Sequence, residues 1–157
     1  MSSFEFEWHG SGSLASQLTA GIVRVTVKSA AHGRPIAITL WRLDGTGLRI
    51  QSLMRDLAKR TEIGVLDLSL VQSADDGEDG FELPPSFKQP VKTTKLVIRE
   101  SGSTAESGLA IEASDGQQIV ITAGAFPYTL AVEGFVSMPH AFEPEYPLAK
   151  YDRVAVV

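Results

Sequence analysis

The stretch from residue 109 to residue 134 constrains the fold more than any other part of this chain. Apolar residues alternate with polar or small ones in 109–114 and again in 117–123, and Asp115-Gly116 separates the two runs. Alternation with a period of two on both sides of an Asp-Gly pair predicts a β-hairpin. Residues 129–133 are expected to return as a third strand, so the chain is predicted to build an antiparallel meander.

The same pattern predicts how the two strands of this hairpin are aligned. A three-residue loop over 114–116 pairs Leu109 with Ile121, whereas a two-residue loop brings Glu112 onto the apolar face. A slip of one residue exchanges the two faces of a strand, so burial selects the register. We therefore expect a type I turn followed by a glycine in the left-handed conformation, which forms a bulge.

Hydrophobic periodicity elsewhere predicts further strands and one helix. Ile50, Leu53, Met54 and Leu57 fall at positions i, i+3, i+4 and i+7, which predicts a short amphipathic helix near Gln51–Thr61. Four other segments, 4–9, 22–28, 65–72 and 93–100, are predicted to be strands, typically with one solvated face. Residues 36–43 are apolar on both faces apart from Thr39 and Arg42, which predicts a central strand. The predicted fold class is mostly β, with α+β as the alternative: about eight or nine strands in a sandwich, curled sheet or open barrel.

Composition limits the class of protein. The 157 residues, 43% of them hydrophobic and 21% charged, fit one globular domain over 1–157. The chain contains no cysteine, which excludes disulfides, thiolate metal sites and cysteine nucleophiles. The first seven residues contain acidic side chains, whereas a secretory signal begins with basic ones. No apolar run reaches the roughly 18 residues that a membrane helix requires. A cytoplasmic location without a membrane interaction is expected.

Charge and motifs argue against several kinds of site. A formal net charge of −5 is unfavourable for binding phosphate backbones, so no nucleic-acid partner is expected. The charge instead favours a protein partner with a basic surface. Gly10-x-Gly12 follows an alternating strand and lacks the context of a dinucleotide fingerprint. The three histidines, His9, His32 and His140, are not spaced as metal ligands on one element. No cofactor, metal site or catalytic residue is predicted.

Two segments offer candidate residues for binding a partner. The segment 73–90 is predicted to be an exposed loop that is acidic and contains prolines, and the segment 135–150 is a Pro-rich extended C-terminal arm. The pattern favours a solvated loop, with contact to a basic partner or a weak divalent-cation site as the alternatives, and it favours packing of the arm against the domain itself, with recognition of a partner as the alternative. The candidate partner-binding residues are Asp75, Asp76, Glu78 and Asp79 of the loop and Phe142, Glu143, Glu145 and Tyr146 of the arm.

These observations leave three hypotheses for the function. The first is a non-catalytic protein-binding module that neutralises one partner, in the general manner of bacterial immunity proteins. The second is a small-molecule-binding or enzymatic β-barrel with a cavity lined by residues such as Phe6, Trp8 and Trp41. The third is a structural protein that assembles into homo-oligomers through an exposed edge strand.

Overall fold

Two β-sheets pack face to face in the structure, a computed structural model that describes residues 3–57 and 62–156. The strands of sheet A are β1 (Ser3–Phe4), β8 (Lys92–Glu100), β9 (Ser103–Glu112), β10 (Gln118–Ala123), β11 (Leu130–Glu133) and β12 (Asp152–Ala155). Those of sheet B are β2 (Glu7–His9), β3 (Arg24–Ser29), β4 (Pro35–Trp41), β5 (Gly47–Asp56), β6 (Glu62–Val71) and β7 (Asp79–Glu82). Sheet A has the order β11-β10-β9-β8-β12, and β1 pairs with β9 on the same side as β10. Sheet B has the order β2-β6-β5-β4-β3-β7.

The predicted fold class is confirmed, because the described chain is mostly β, most strand pairs are antiparallel and the two sheets form a sandwich-like fold. Inward-facing aliphatic residues of both sheets share the main core, which includes Val25, Ile38, Leu48, Leu66, Leu109 and Ile121. A second core lies where the start of β6 meets β8, β9 and the C-terminal arm, and it includes Ile63, Val65, Ile98, Ala105 and Tyr151. The hydrophobic effect on these two clusters holds the sheets together.

The β9–β10 hairpin follows the predicted alignment. Leu109 pairs with Ile121 and Ile111 pairs with Ile119. The amide of Ala113 donates to the carbonyl oxygen of Gln117 at 2.8 Å, which closes the three-residue loop. Gly116 has φ = 88°, the left-handed conformation that this turn requires. The third strand of the meander is β11.

The helix predicted near 51–61 is wrong over residues 51–56, which belong to β5; residues 58–61 lie outside the described part of the chain. β5 pairs with β6 over ten consecutive residues, from Gly47 opposite Val71 to Asp56 opposite Glu62. Long-range pairing and the burial of alternate residues override the local helical spacing. The α-helix in the described chain is instead α1 (Leu14–Thr19), where the Ser13 side chain accepts a hydrogen bond from the Ser16 amide as an N-cap.

Three other segments differ from their predicted form. The N-terminal strand is split into β1 in sheet A and β2 in sheet B, and both pair in parallel with their neighbours. The segment 73–90 is not one irregular loop, because it contains β7 and a 3-10 helix at Pro85–Lys88. The arm 135–150 is not extended throughout, because it turns at Pro139 and His140 and ends in a 3-10 helix at Leu148–Lys150.

Candidate functional site

The β3–β4 hairpin brings together parts of both predicted partner-binding segments. Its turn is closed by the amide of Ala30, which donates to the carbonyl oxygen of Arg34 at 3.0 Å. Lys28 and Arg34 stand on either side of this turn. Lys28 Nζ lies 3.4 Å from Asp75 of the loop, and Arg34 Nε donates to Glu143 of the arm at 2.9 Å. One hairpin therefore contacts both the acidic loop and the arm.

The acidic loop is partly neutralised by its own sheet. Arg49 Nη2 donates to Asp75 at 2.7 Å, and this contact, with help from Lys28, lowers the pKa of the Asp75 carboxyl. Glu78 is only 2% exposed at its side chain and accepts hydrogen bonds from Thr26 Oγ1 at 3.2 Å and from the Asp75 amide. Two of the four predicted acidic residues are thus engaged inside the chain.

The other two acidic residues of the loop face solvent. Asp76 and Asp79 are exposed, and neither forms an ion pair with any residue in the described ranges. Asp79 begins β7 and pairs with Val27 of β3, so its position is fixed by the sheet. The part of this loop that remains available to a partner is therefore these two carboxylates.

The arm divides its predicted residues between two environments. Its backbone is fixed next to β10, since the Ala125 amide donates to the Glu143 carbonyl at 2.8 Å and the Glu145 amide donates to the Ala123 carbonyl at 3.0 Å. Glu143 is held at the surface, where hydrogen bonds from His140 Nδ1 at 2.6 Å and then from Arg34 lower the pKa of its carboxyl. Phe142 beside it is half-buried.

Glu145 and Tyr146 face the second core instead of solvent. The Glu145 carboxylate accepts from the Gly64 amide at 3.2 Å, and burial raises the pKa of this carboxyl. The ring of Tyr146 packs edge-on against Tyr151 with 6.3 Å between the centroids. Burial, followed by the charge of Glu145, raises the pKa of Tyr151 to about 12. These contacts tie this half of the arm into the core and leave Glu143 as the acid of the arm that faces the hairpin.

Two exposed aromatic residues complete the surface beside Glu143, and the sequence pattern did not single them out. Phe126 and Tyr128 lie on the β10–β11 loop with 48% and 60% of their surface exposed. The guanidinium carbon of Arg34 stacks 4.1 Å from the centroid of the Phe126 ring. We call Arg34, Phe126, Tyr128, His140 and Glu143 the aromatic corner. The sequence feature that could have identified this corner is the pair of aromatic residues on either side of Pro127.

The loop that carries these aromatics has a fixed backbone. The Thr129 amide and hydroxyl both donate to the carbonyl of Phe126, at 3.1 Å and 2.6 Å. Tyr128 has φ = 62° and His140 has φ = 57°, values that non-glycine residues rarely adopt. Strained backbone of this kind is concentrated at functional sites in proteins. The aromatic corner thus combines exposed rings with a conformation that the surrounding hydrogen bonds determine.

The histidines contact different partners. His9 Nε2 lies 2.5 Å from Asp67 on sheet B, while His32 Nδ1 accepts from the Arg34 amide at 3.2 Å and His140 contacts Glu143. His32 therefore contacts Arg34 directly, and His140 is linked to it through Glu143. Across 3–57 and 62–156, no three His, Asp or Glu side chains are grouped so that they could hold a metal ion.

Two surface depressions among the described residues bear on the hypothesis of a small-molecule site. One, which we call the end pocket, has a volume of about 290 Å³ and is lined by Ile36, Gln51, Ser52, Leu53 and Tyr128. The other, about 210 Å³, lies on the outer face of sheet A and is lined by Lys92, Thr94, Ala110, Glu112, Gln118 and Arg153. Neither is lined by the residues of the predicted cavity: Phe6 and Trp8 pack against the main core, and Trp41 Nε1 donates to Thr26 at 2.8 Å.

Comparisons with known proteins give no functional assignment. No family model, curated protein or solved structure matches the chain. No helix in the described ranges is both long and apolar enough to span a membrane. Sheet A ends at β11 and β12, and sheet B ends at β2 and β7. No comparison tests assembly through these edge strands, which stays a prediction.

Proposed function

We propose that this chain is a non-catalytic protein-binding module whose binding face is formed by the aromatic corner and the exposed acids of the 73–90 segment. The partner is a protein with a basic rim around an apolar depression. The proposal places the module in the cytoplasm, where it neutralises this partner as an immunity protein does. The observation that carries the proposal is the pair of exposed rings, Phe126 and Tyr128, on a loop of fixed conformation.

Exposed aromatic rings on a fixed backbone favour protein binding for an energetic reason. Tyrosine, tryptophan and arginine supply most of the residues whose truncation costs a protein interface the most affinity. Little conformational entropy is lost on binding when hydrogen bonds already hold the loop. Arg34 is also held in place, because Phe126 lies under its guanidinium group and Glu143 accepts from its Nε. The corner is therefore preorganised for contact with another surface.

The acidic residues support a basic partner. Asp76 and Asp79 are exposed, Asp79 pairs with Val27 of the same β3–β4 hairpin that contacts Glu143, and the whole chain carries a net charge of −5. Exposed charges at the rim of an interface mainly affect the rate of association and its salt dependence. The rings are thus assigned most of the binding energy, and the two aspartates are assigned orientation and selectivity.

The test is affinity capture from the lysate of the native host with three forms of the chain: wild type, Phe126→Ala/Tyr128→Ala and Leu43→Ala. Leu43 is the matched control because it is 71% exposed and lies beyond the opposite end of β4 from Arg34. Loss of two central rings is expected to weaken binding by about 2 kcal/mol or more, roughly 30-fold. One protein should be retained by wild type and Leu43→Ala and lost from the double variant. Equal retention by all three forms would contradict the proposal.

Charge reversal tests the acidic part of the same face. Asp76→Lys/Asp79→Lys should reduce the association rate with the captured partner and flatten its dependence on salt. Glu112→Lys is the control, since Glu112 is exposed at the opposite end of β10 from the aromatic loop. If the reversed aspartates left the rate and its salt dependence unchanged, the acidic segment would be removed from the binding face.

A further inference from the structure

The strand β5 is paired on both sides over only part of its length. β4 borders its first residues, and that ladder stops at the pair Ile38–Ile50. β6 continues beside β5 to the pair Asp56–Glu62. Among the described strands, no other one pairs with β5. The side of β5 that faces β4 is therefore open over residues 52–56, and we call this stretch the open edge.

The backbone of Met54 points towards this open side. Gly64 lies opposite Met54 in β6. Its amide donates to Glu145 at 3.2 Å and its carbonyl accepts from Ser107 Oγ, so both groups point away from β5. In such a non-hydrogen-bonded pair, Met54 in turn directs its N–H and C=O away from β6, and Asp56 does the same because these directions alternate along a strand. No backbone hydrogen bond within the described residues engages these groups, which are available to an added strand.

Apolar side chains that belong to neither core lie along the open edge. Leu53 and Met54 are half-buried, yet both lie outside the two hydrophobic cores of the described chain. The end pocket opens at the start of the edge, where Ile36, Leu53 and Tyr128 form its apolar walls and none of the lining side chains is charged. An apolar cavity of about 150 Å³ is enough for a benzene ring. At about 290 Å³, the end pocket has room for one large apolar side chain beside the open backbone.

The size of the open edge favours a single peptide over a second copy of the chain. Five residues of strand span about 17 Å, whereas stable protein interfaces bury roughly 1,000 Å² or more. A dimer joined only along this length buries less than that area. Strand addition by an extended peptide needs only backbone hydrogen bonds for affinity and pockets for alternate side chains for selectivity.

We propose that the open edge binds an extended peptide segment by strand addition, and that the end pocket takes one large apolar side chain of this segment, such as phenylalanine. The peptide continues the line of β4 beside β5 and exchanges hydrogen bonds with the backbone of Met54 and Asp56. This site is separate from the protein-binding face proposed above, although Tyr128 borders both. Its tests use the isolated chain and a defined peptide, so the two proposals can fail independently.

The first test is an NMR titration of the isotopically labelled chain with the peptide acetyl-KTVFVTK-amide. We expect saturable shifts of the Met54 amide signal and of the methyl signals of Ile36 and Leu53. One control peptide carries N-methyl groups on its three central residues, which removes its backbone donors, and should not bind. The other has serine in place of phenylalanine and should bind at least about tenfold more weakly, because it leaves the pocket without an apolar side chain. Shifts that do not saturate at millimolar peptide, or a control peptide that binds as tightly as the parent, would overturn the proposal.

A second test uses proline, which has no backbone N–H. Met54→Pro removes a donor of the open edge, whereas Leu53→Pro removes a donor that faces β6. Leu53→Pro should lower the melting temperature by about 10 °C, and Met54→Pro should lower it by less than half as much, because proline is tolerated where the N–H of a strand faces solvent. Met54→Pro should lose the peptide, and Met54→Ala, which keeps the N–H, should bind it. Equal losses of melting temperature in the two proline variants, or peptide binding retained by Met54→Pro, would overturn the proposal.

Discussion

Glu143 and Glu145 are two residues apart in the C-terminal arm, yet they belong to opposite environments. Glu143 lies at the surface between His140 and Arg34, and these contacts lower the pKa of its carboxyl. Glu145 lies against Gly64 near the second core, and burial raises the pKa of its carboxyl. Residues two positions apart in an extended backbone face the same side, but these two residues differ because the arm crosses from the aromatic corner to the second core between them. The outer half of the arm is available for binding, and the inner half holds the fold.

The largest expected effect separates two tyrosines. Tyr151 is 7% exposed in the second core, whereas Tyr128 is 60% exposed in the aromatic corner. Tyr151→Ala removes a buried ring and should reduce the free energy of unfolding by about 3–5 kcal/mol, as for other large aromatic truncations. Tyr128→Ala should change it by about 0.5 kcal/mol or less. Urea unfolding of both variants measures the difference, and similar losses would contradict the separation of the aromatic corner from the second core.

A smaller effect is expected from neutralising Glu145. A raised pKa means that the folded chain binds a proton more tightly than the unfolded chain, so the ionised carboxylate destabilises the fold at neutral pH. Glu145→Gln should therefore be more stable than wild type at pH 7, with its side-chain oxygen still accepting from Gly64. This advantage should shrink as the pH falls through the raised pKa towards the ordinary value of 4.5. Urea unfolding between pH 7 and pH 4 tests both statements.

The matched substitution at Glu143 should show the opposite sign. A lowered pKa means that the ionised form is favoured in the folded chain, so its contribution is present above pH 4.5 and is lost as the pH falls further. Glu143→Gln should be slightly less stable than wild type at pH 7, and the two should converge on acidification below pH 4.5. A stability profile with the same sign for both variants would show that the two glutamates do not differ as described.

The β9–β10 hairpin was predictable because its constraint is local. Only one alignment places Leu109, Ile111, Ile119 and Ile121 on one face, and the Asp-Gly pair supplies the turn that this alignment needs. The residues of β5 contain a helical spacing as well as a period-two pattern, with Leu48 and Ile50 buried and Arg49 and Gln51 less so. The choice between the two is made by pairing with β4 and β6, the strands that precede and follow β5, and the spacing of apolar residues within β5 does not show this pairing.

The candidate site was only partly predictable for the same reason. Composition identified the acidic residues, but the neutralisation of Asp75 depends on Arg49, 26 positions away. The contact of Arg34 with Glu143 spans 109 positions. Phe126 and Tyr128 lie in a turn, where no periodicity marks them, and only the folded chain shows that they are exposed beside this ion pair.

The most direct test of this account is hydrogen–deuterium exchange of the chain, alone and in complex with the partner recovered by capture. We expect slower exchange in the complex for residues 124–129 and 140–143, which contain every residue of the aromatic corner except Arg34. Exchange in 145–151, which covers the inner half of the arm and Tyr151, should stay unchanged. Protection confined to 145–151, or to edge strands far from the β3–β4 hairpin, would contradict the proposed binding face.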